Sequence, residues 1–421
     1  MDGPLAGVKV LEFTEVIAAP LAGMLLSDMG ANVTKIEPPW GDPWRSTQPC
    51  SPTDSRPFIA YNRGKKDVTL DLRSDVSKKI VKKLLVDVDV VLVNYRPDVA
   101  VNLGVDYESL SKVNPRIIYC EVTAFGRSGD DSLKPGYDLI IQGMSGLMNA
   151  EAKIVDGTPQ HICSSPLVDT TAGFSLAWLI CAALFSRERT GLGQKIETTL
   201  MGTALALMGM RYVQVESLDA ENRLDTLNVL HSLRSSDVAF EDIMNIYQAG
   251  HPPVPGHIYY RAYATSNGAI TVGCLSDPLR KQLLQVLGVT DIRFEDGYDP
   301  LDPESIAFGE ELIRGVEKMF LERTTEDWLN IMETNGIPAG PVRYVEEVFD
   351  DPQVIANNLT VDVEHASLGT VRMVGPLATF SETPLRASPI SALGQHTDEV
   401  LLELGYTEEN LEEWRKLGII R

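Results

Sequence analysis

Residues 7–37 read GVKVLEFTEVIAAPLAGMLLSDMGANVTKIE, and this stretch decides the fold class. Val8 to Phe13 is a short apolar run with the length of a buried strand. Pro20 stands where a helix opens, and LAGMLLSDM follows until Gly30 can stop it. Asn32 to Glu37 is a second strand. Strand, helix and strand in close succession form a βαβ unit with parallel strands.

The alternation continues outward. Asp67 to Leu72 reads as a strand. Ser74 or Asp75 can cap a helix that carries Val76, Ile80 and Leu84 on one face. Val88 to Val93 is a buried strand, Tyr107 to Val113 a helix and Arg116 to Val122 another strand. The N-terminal 125 residues therefore predict an open, doubly wound α/β sheet. Residues 126–168 are irregular and rich in Gly and Pro, with a helix near Asp138 to Met148. A long apolar helix begins at Asp169 in PLVDTTAG and ends in SRERTGLGQ. Gln194 to Thr199 is a strand, and Leu200 to Glu216 reads as one long helix.

A polar boundary at Ser217 divides the chain. The predicted organisation is a Rossmann-like large domain over 1–216, a linker over 217–229, and a smaller α+β domain over 230–336. A linker and C-terminal part, 337–421, return to the large domain. In the smaller domain, YRAYATSNGAITVGC holds two alternating runs around Asn267-Gly268, the pair favoured in type I′ hairpin turns. Helices are expected near Asp277–Leu287, Glu310–Leu321 and Thr325–Asn335. The amphipathic helix Asp398–Leu404 needs an apolar surface to cover it.

The formal net charge is −22, which argues against a nucleic-acid partner, because such proteins present a basic face. The five cysteines are scattered without metal-ligand spacing and read as reduced thiols of a cytoplasmic protein. MDGPLAGVKVLEF has neither the basic nor the apolar region of a signal peptide. The most apolar segment, Phe174 to Phe185, is too short for a membrane span, so no membrane role is expected.

The first βαβ unit invites a dinucleotide, with Glu37 at the place of a ribose-binding acid. Its turn, FTEVIAAPLAG, lacks the glycines that let backbone approach a pyrophosphate, so no NAD is expected. His251 and His257 in GHPPVPGH lack a metal-ligand spacing, and no metal is expected. There is no G-x-S-x-G elbow and no P-loop, which disfavours a serine hydrolase and ATP-driven activation. Asp169 taken alone reads as a helix N-cap. At that position its carboxylate is expected to be solvated by backbone amides and ionised.

Its neighbours resemble the family III CoA-transferases, whose relatives include formyl-CoA and carnitine CoA-transferases and α-methylacyl-CoA racemases. The resemblance runs in order through residues 7–45, NRGKKDVTLDLRS, VLVNYRPDVAVNLGVDYESLSKVNPRIIYCEVTAFGRSG, PGYDLIIQGMSGLM, PLVDTTAG with ALFSRERTGLGQKIETTL, and LGQHTDEVLLELG. It implies a Rossmann-like large domain, a small domain and an intertwined homodimer. It implies an acyl-CoA donor and a carboxylic acid acceptor, with coenzyme A as co-substrate and no metal, NAD or ATP. The family's catalytic aspartate falls on Asp169, an acidic site position on Asp138, and the aromatic before it on Tyr137. CoA contacts carry over to Val16, Ala18, Leu70, Arg73, Asn94, Tyr95 and Leu200.

The departures from the family carry information. Racemases have histidine where Tyr137 stands, and a tyrosine is a poor proton shuttle at neutral pH. Oxalate-specific members have glutamine where Ile17 stands. A basic residue usually follows KIE, where Pro38 stands. The mobile glycine-rich loop corresponds to YQAGHPPVPGH, stiffened by Pro252, Pro253 and Pro255. The expectation is a ping-pong CoA-transferase working through an aspartyl anhydride and an aspartyl-CoA thioester. The alternatives are an α-methylacyl-CoA racemase or other acyl-CoA isomerase, and a non-catalytic CoA-binding protein. A small dicarboxylate is a reasonable acceptor, with Arg63, Lys65, Lys66 or Arg261 available to meet its distal carboxylate, although contact with the CoA phosphates or plain solvation is the stronger reading of those side chains.

Overall fold

The structure is a computed structural model that describes residues 2–250, 257–300 and 302–421. The chain forms two compact units, one of residues 1–217 with 353–421 and one of residues 218–352. The first unit is built on a six-stranded sheet. Its strands are β1 (Lys9–Phe13), β2 (Asn32–Glu37), β3 (Lys65–Thr69), β4 (Val90–Val93), β5 (Ile118–Thr123) and, after a short hairpin of β6 (Ile154–Val155) and β7 (Thr158–Pro159), β8 (Gln194–Thr199). Every neighbouring pair is parallel, and the order is β3-β2-β1-β4-β5-β8. The mixed α/β class and the parallel sheet are as the sequence predicts.

Strand pleating sends alternate side chains to two cores. On one face Val10, Val33, Leu92 and Cys120 meet the helices Ala18–Asp28 and Leu167–Thr190. On the other face Leu11, Phe13, Val93 and Tyr119 meet Ile80, Leu401 and Trp414. Leu401 and Trp414 come from the helices Thr397–Glu403 and Glu408–Lys416, so the C-terminal residues cover the sheet's second face. Backbone bonds fix that cover: Asp71 N donates to Ile419 O, and Arg421 N donates to Thr69 Oγ1.

The Asp169 helix begins at Leu167 and runs 24 residues to Thr190, longer than its most apolar segment implies. By length and composition alone it is long enough to cross a membrane. Half of that apolar window is buried inside the protein, which accounts for its hydropathy as a core helix. Gly173 sets its distance from the Ala18–Asp28 helix. A Cβ there would stand 2.7 Å from Ala18 O and 2.9 Å from Leu21 Cβ.

Three local expectations differ from the structure. Leu200–Glu216 is not one helix: it stops at Leu207, a single 3₁₀ turn spans Gly209–Tyr212, and a new helix starts at Glu216. Residues 217–229, expected as a linker, lie inside that helix, Glu216–Ser235. Its Glu, Leu, Ala and Arg content favours a helix although none of its side chains is buried. The Asn267-Gly268 turn joins β9 (Tyr260–Ala264) to β10 (Ala269–Gly273), but neither residue has positive φ, so it is not type I′. The turn is instead held from outside, by Ser266 N on Arg323 O and Thr325 N on Asn267 Oδ1.

The second unit pairs β9 and β10 with β11 (Ala339–Pro341) and packs helices Asp277–Leu287, Pro303–Leu321 and Thr325–Thr334 around them. Tyr263 stacks on Phe320 at 4.1 Å between ring centroids. The prolines of YQAGHPPVPGH, Pro252, Pro253 and Pro255, lie outside the described residues.

The helix crossing gives a first prediction. Gly173→Ala should destabilise the first unit by about 1–3 kcal/mol, because backbone must move to admit the methyl group. Gly315→Ala, on an exposed helix position with no atom near its Cβ, should be neutral or stabilising by up to about 1 kcal/mol. Denaturant unfolding of both variants compares them.

Candidate active site

The strand order reverses between β1 and β4, and the chain leaves both strands in opposite directions. A cleft forms at the carboxyl ends of strands at such a point. Here it is lined by the turn Glu15–Ala18 after β1 and by Asn94–Arg96 after β4. Asn94 clasps the first turn: Glu15 N donates to its Oδ1 at 2.9 Å, and its Nδ2 donates to Glu15 O at 2.7 Å.

Val16, inside that turn, has φ of 69°. A β-branched residue in left-handed backbone is strained by roughly 1–2 kcal/mol. The strain is held by Asn94 and by Asp42, whose Oδ1 accepts from Val16 N at 3.3 Å. Asp42 is anchored in turn by Lys35 at 3.1 Å, and Lys35 Nζ donates to Thr14 O at 2.7 Å. Burial works against the Lys35 ammonium, but Asp42, Glu12 and Glu37 outweigh it and hold its pKa above the ordinary value.

The helix Leu167–Thr190 arrives at this turn with Asp169 in its first turn. Asp169 is not its N-cap. The cap function falls to Asp138, whose Oδ2 accepts from Val168 N at 2.7 Å and Asp169 N at 3.1 Å. Gln142 donates to the other Asp138 oxygen. The amides expected to solvate Asp169 are therefore taken by a second acid. Asp169 is 8 % exposed, and burial first, then the nearby Asp138 charge, pushes its pKa up to about 7. The expectation of a readily ionised carboxylate is corrected: Asp169 is poised between its two forms near neutrality.

Asp169 lies in a wall shared by two cavities. One, of about 310 Å³, holds Val16, Ala18, Asn94, Tyr95, Tyr137 and Leu200 with Glu15 and Arg96. The other, of about 520 Å³, is lined by Val16, Ile17, Tyr137 and Asp138 together with Trp44 and His161. Of the sequence-named site residues, Val16, Ala18, Asn94, Tyr95, Tyr137, Asp169 and Leu200 line the first cavity, and Asp138 lines the second. Leu70 and Arg73 line neither. Leu70 is a core residue, and Arg73 is exposed, pairing with Asp71 and lying 4.9 Å over the Trp40 ring.

The four cations proposed for a distal carboxylate are otherwise engaged. Arg63 is buried against Asp28 and Val374 O, and Lys65 against Glu12, Pro20 O and Asn62. Lys66 pairs with Glu399 at 2.6 Å, and Arg261 pairs with Glu317 in the second unit. Sequence reading missed Glu15, Trp44, Arg96 and His161. Glu15 and Arg96 adjoin residues it named; nothing in the sequence marks Trp44 or His161. Among the described residues, no group of three or more His, Cys, Asp or Glu side chains is placed to hold a metal ion.

A sequence model of CoA-transferase family III matches residues 5–397. The chain belongs to that family. It is 32% identical over 416 residues to the succinate–glutarate CoA-transferase of Agrobacterium fabrum, covering 95% of this chain and 96% of that one. It is 29% identical to the human succinyl-CoA:glutarate CoA-transferase, over 99% of this chain and 90% of that one. The crystal structure of Rv3272 from M. tuberculosis is similar with a TM-score of 0.73 and 26% identity, over 94% of this chain and 98% of that chain. As a family III CoA-transferase the protein is an enzyme that uses CoA thioesters.

The raised Asp169 pKa has a cost in stability with a definite sign. Between 3.8, its ordinary value, and about 7 the unfolded chain ionises this group while the folded enzyme keeps the proton. Wild-type stability therefore falls as pH rises through that window. Asp169→Asn lacks this term. It should be more stable than wild type at pH 8 by roughly 2–4 kcal/mol, with the gap closing as pH falls toward 4. Thermal melts across that range test it; a gap independent of pH would contradict the assignment.

Proposed function

We propose that this enzyme transfers CoA from an acyl-CoA donor to a carboxylic acid through covalent acylation of Asp169, with dicarboxylic acids among its substrates. The observation that carries the reading is the shared wall: one carboxylate faces both a cavity built at the switch point and a second, larger one. A single group so placed can exchange bonds with molecules on both sides. The names of the Agrobacterium and human relatives support dicarboxylic substrates.

In the first step an Asp169 oxygen attacks the donor carbonyl, the carbon–sulfur bond breaks, and CoA leaves as thiolate. The product is a mixed anhydride. The thiolate then attacks the aspartyl carbonyl, the donor acid leaves, and an aspartyl-CoA thioester forms. The acceptor carboxylate attacks that thioester and expels the thiolate. Attack of the thiolate on the acceptor carbonyl releases the new acyl-CoA and restores Asp169. Each step exchanges one acyl bond for another, so the cycle needs no outside energy source. Splitting the exchange into covalent steps lowers each barrier. Burial leaves the ionised Asp169 poorly solvated, which favours attack and limits hydrolysis of the intermediates.

A racemase needs a proton acceptor on each side of the α-carbon. Asp138 has both oxygens bonded, to two amides and Gln142, and so is a structural acid rather than a shuttle. Phe174, Trp178 and Phe185 are exposed along one face of the Asp169 helix, and this apolar stripe supports assembly as a homodimer.

Asp169→Ala should lower transfer by roughly a thousandfold or more while CoA still binds. Hydroxylamine added after donor should leave a hydroxamate on Asp169, detected by peptide mass spectrometry; a label at another residue would move the nucleophile. Because attack needs the ionised form, kcat/KM for the donor should rise with pH through an apparent pKa near 7. In Asp138→Asn that limb should move lower but stay above the ordinary carboxylate range, since burial is the larger cause. An unmoved limb would remove Asp138 from the electrostatics.

A further inference from the structure

A dicarboxylic acid that presents one carboxylate to Asp169 must place the other somewhere in the same cleft. That second carboxylate enters the neighbourhood of Asp138 and Asp169, two acids, and needs donors to offset its desolvation. Arg63, Lys65, Lys66 and Arg261 are committed elsewhere. Among the described residues lining the 520 Å³ cavity, His161 is the one side chain that can carry positive charge. Its imidazole bonds to none of the described side chains or backbone. Trp44 lines the same cavity, and its buried indole N–H finds no acceptor among the described residues. A buried indole N–H ordinarily has a partner.

The position of His161 is fixed relative to Asp169 by a short chain of bonds. Ile162 N donates to Gln142 Oε1 at 2.9 Å, and Gln142 Nε2 donates to Ile162 O at 3.2 Å. The same Gln142 bonds Asp138, and Asp138 holds the amide of Asp169. Loop, cap and helix start are thereby one hydrogen-bonded unit. We infer that His161, assisted by the Trp44 indole N–H, binds the distal carboxylate of a dicarboxylic acid whose other carboxylate meets Asp169. The inference rests on the transferase reading above and adds its specificity-determining residue.

The test compares glutarate with pentanoate, acids of equal length that differ in the second carboxylate, as acceptors with saturating succinyl-CoA. In a ping-pong cycle the acceptor's kcat/KM reports only the second half-reaction. His161→Gln should lower kcat/KM for glutarate by roughly tenfold to a hundredfold, mainly through KM, and leave pentanoate unchanged. His161→Arg should keep the preference for glutarate, and Trp44→Phe should weaken it in the same direction as His161→Gln. CoA affinity should be unchanged in all three, which also reports that they fold. Equal effects on both acids, or no effect of His161→Gln on glutarate, would overturn the inference while the transferase reading stands. Wild-type protein that binds CoA but transfers it to neither acid would overturn that reading, and the inference with it.

Discussion

Asp138 takes the two amides at the start of the Leu167–Thr190 helix, and the character of the site follows from that pair of bonds. A helix start ordinarily stabilises an anion. Here the carboxylate it satisfies is Asp138, which lines only the second cavity, whereas Asp169 borders both. Asp169 is left buried, beside a negative neighbour and without those donors. Its proton affinity rises accordingly. The arrangement ties one acid into a set of hydrogen bonds and leaves the other without those donors, although they are adjacent in space and alike in type.

The opposite wall is built with comparable tension. Val16 is held in a backbone region that valine avoids, and the restraint runs from its amide to Asp42 and on to Lys35 in β2. Strain of this kind persists only where surrounding bonds over-determine it. Two elements thus meet at the cleft, one set by buried Asp42 and the other by buried Asp138. Gly173 then fixes the separation between them, since nothing larger fits against Ala18 O.

The sheet was legible because its strands are apolar runs with turn residues at their ends, and burial on both faces leaves little ambiguity. Asp169, Tyr137 and Asn94 were legible through motifs that lie next to strand ends or a helix start. What stayed hidden is physical in origin. The ionisation of Asp169 depends on which acid occupies the amides, and Asp138 is distant in sequence. The pairing of Arg63 and Lys65 depends on long-range partners, Asp28 and Glu12. His161 and Trp44 lie in irregular segments whose course no periodicity describes. The helix Glu216–Ser235 was mistaken for a linker because a polar exterior looks the same whether or not the backbone is helical. The Asn267-Gly268 pair is used for docking against Thr325 rather than for its left-handed propensity.

The loop that carries His161 follows a two-residue-stranded hairpin outside the main sheet, and the side chain of Gln142 and the packing of Ile162 tether it to the rest. Asp169, by contrast, is secured by a long helix packed on a parallel sheet. Molecular descent can therefore rewrite the loop, residue by residue, with little penalty to folding. Change in the lining of the larger cavity is thereby separable from the framework that holds Asp169.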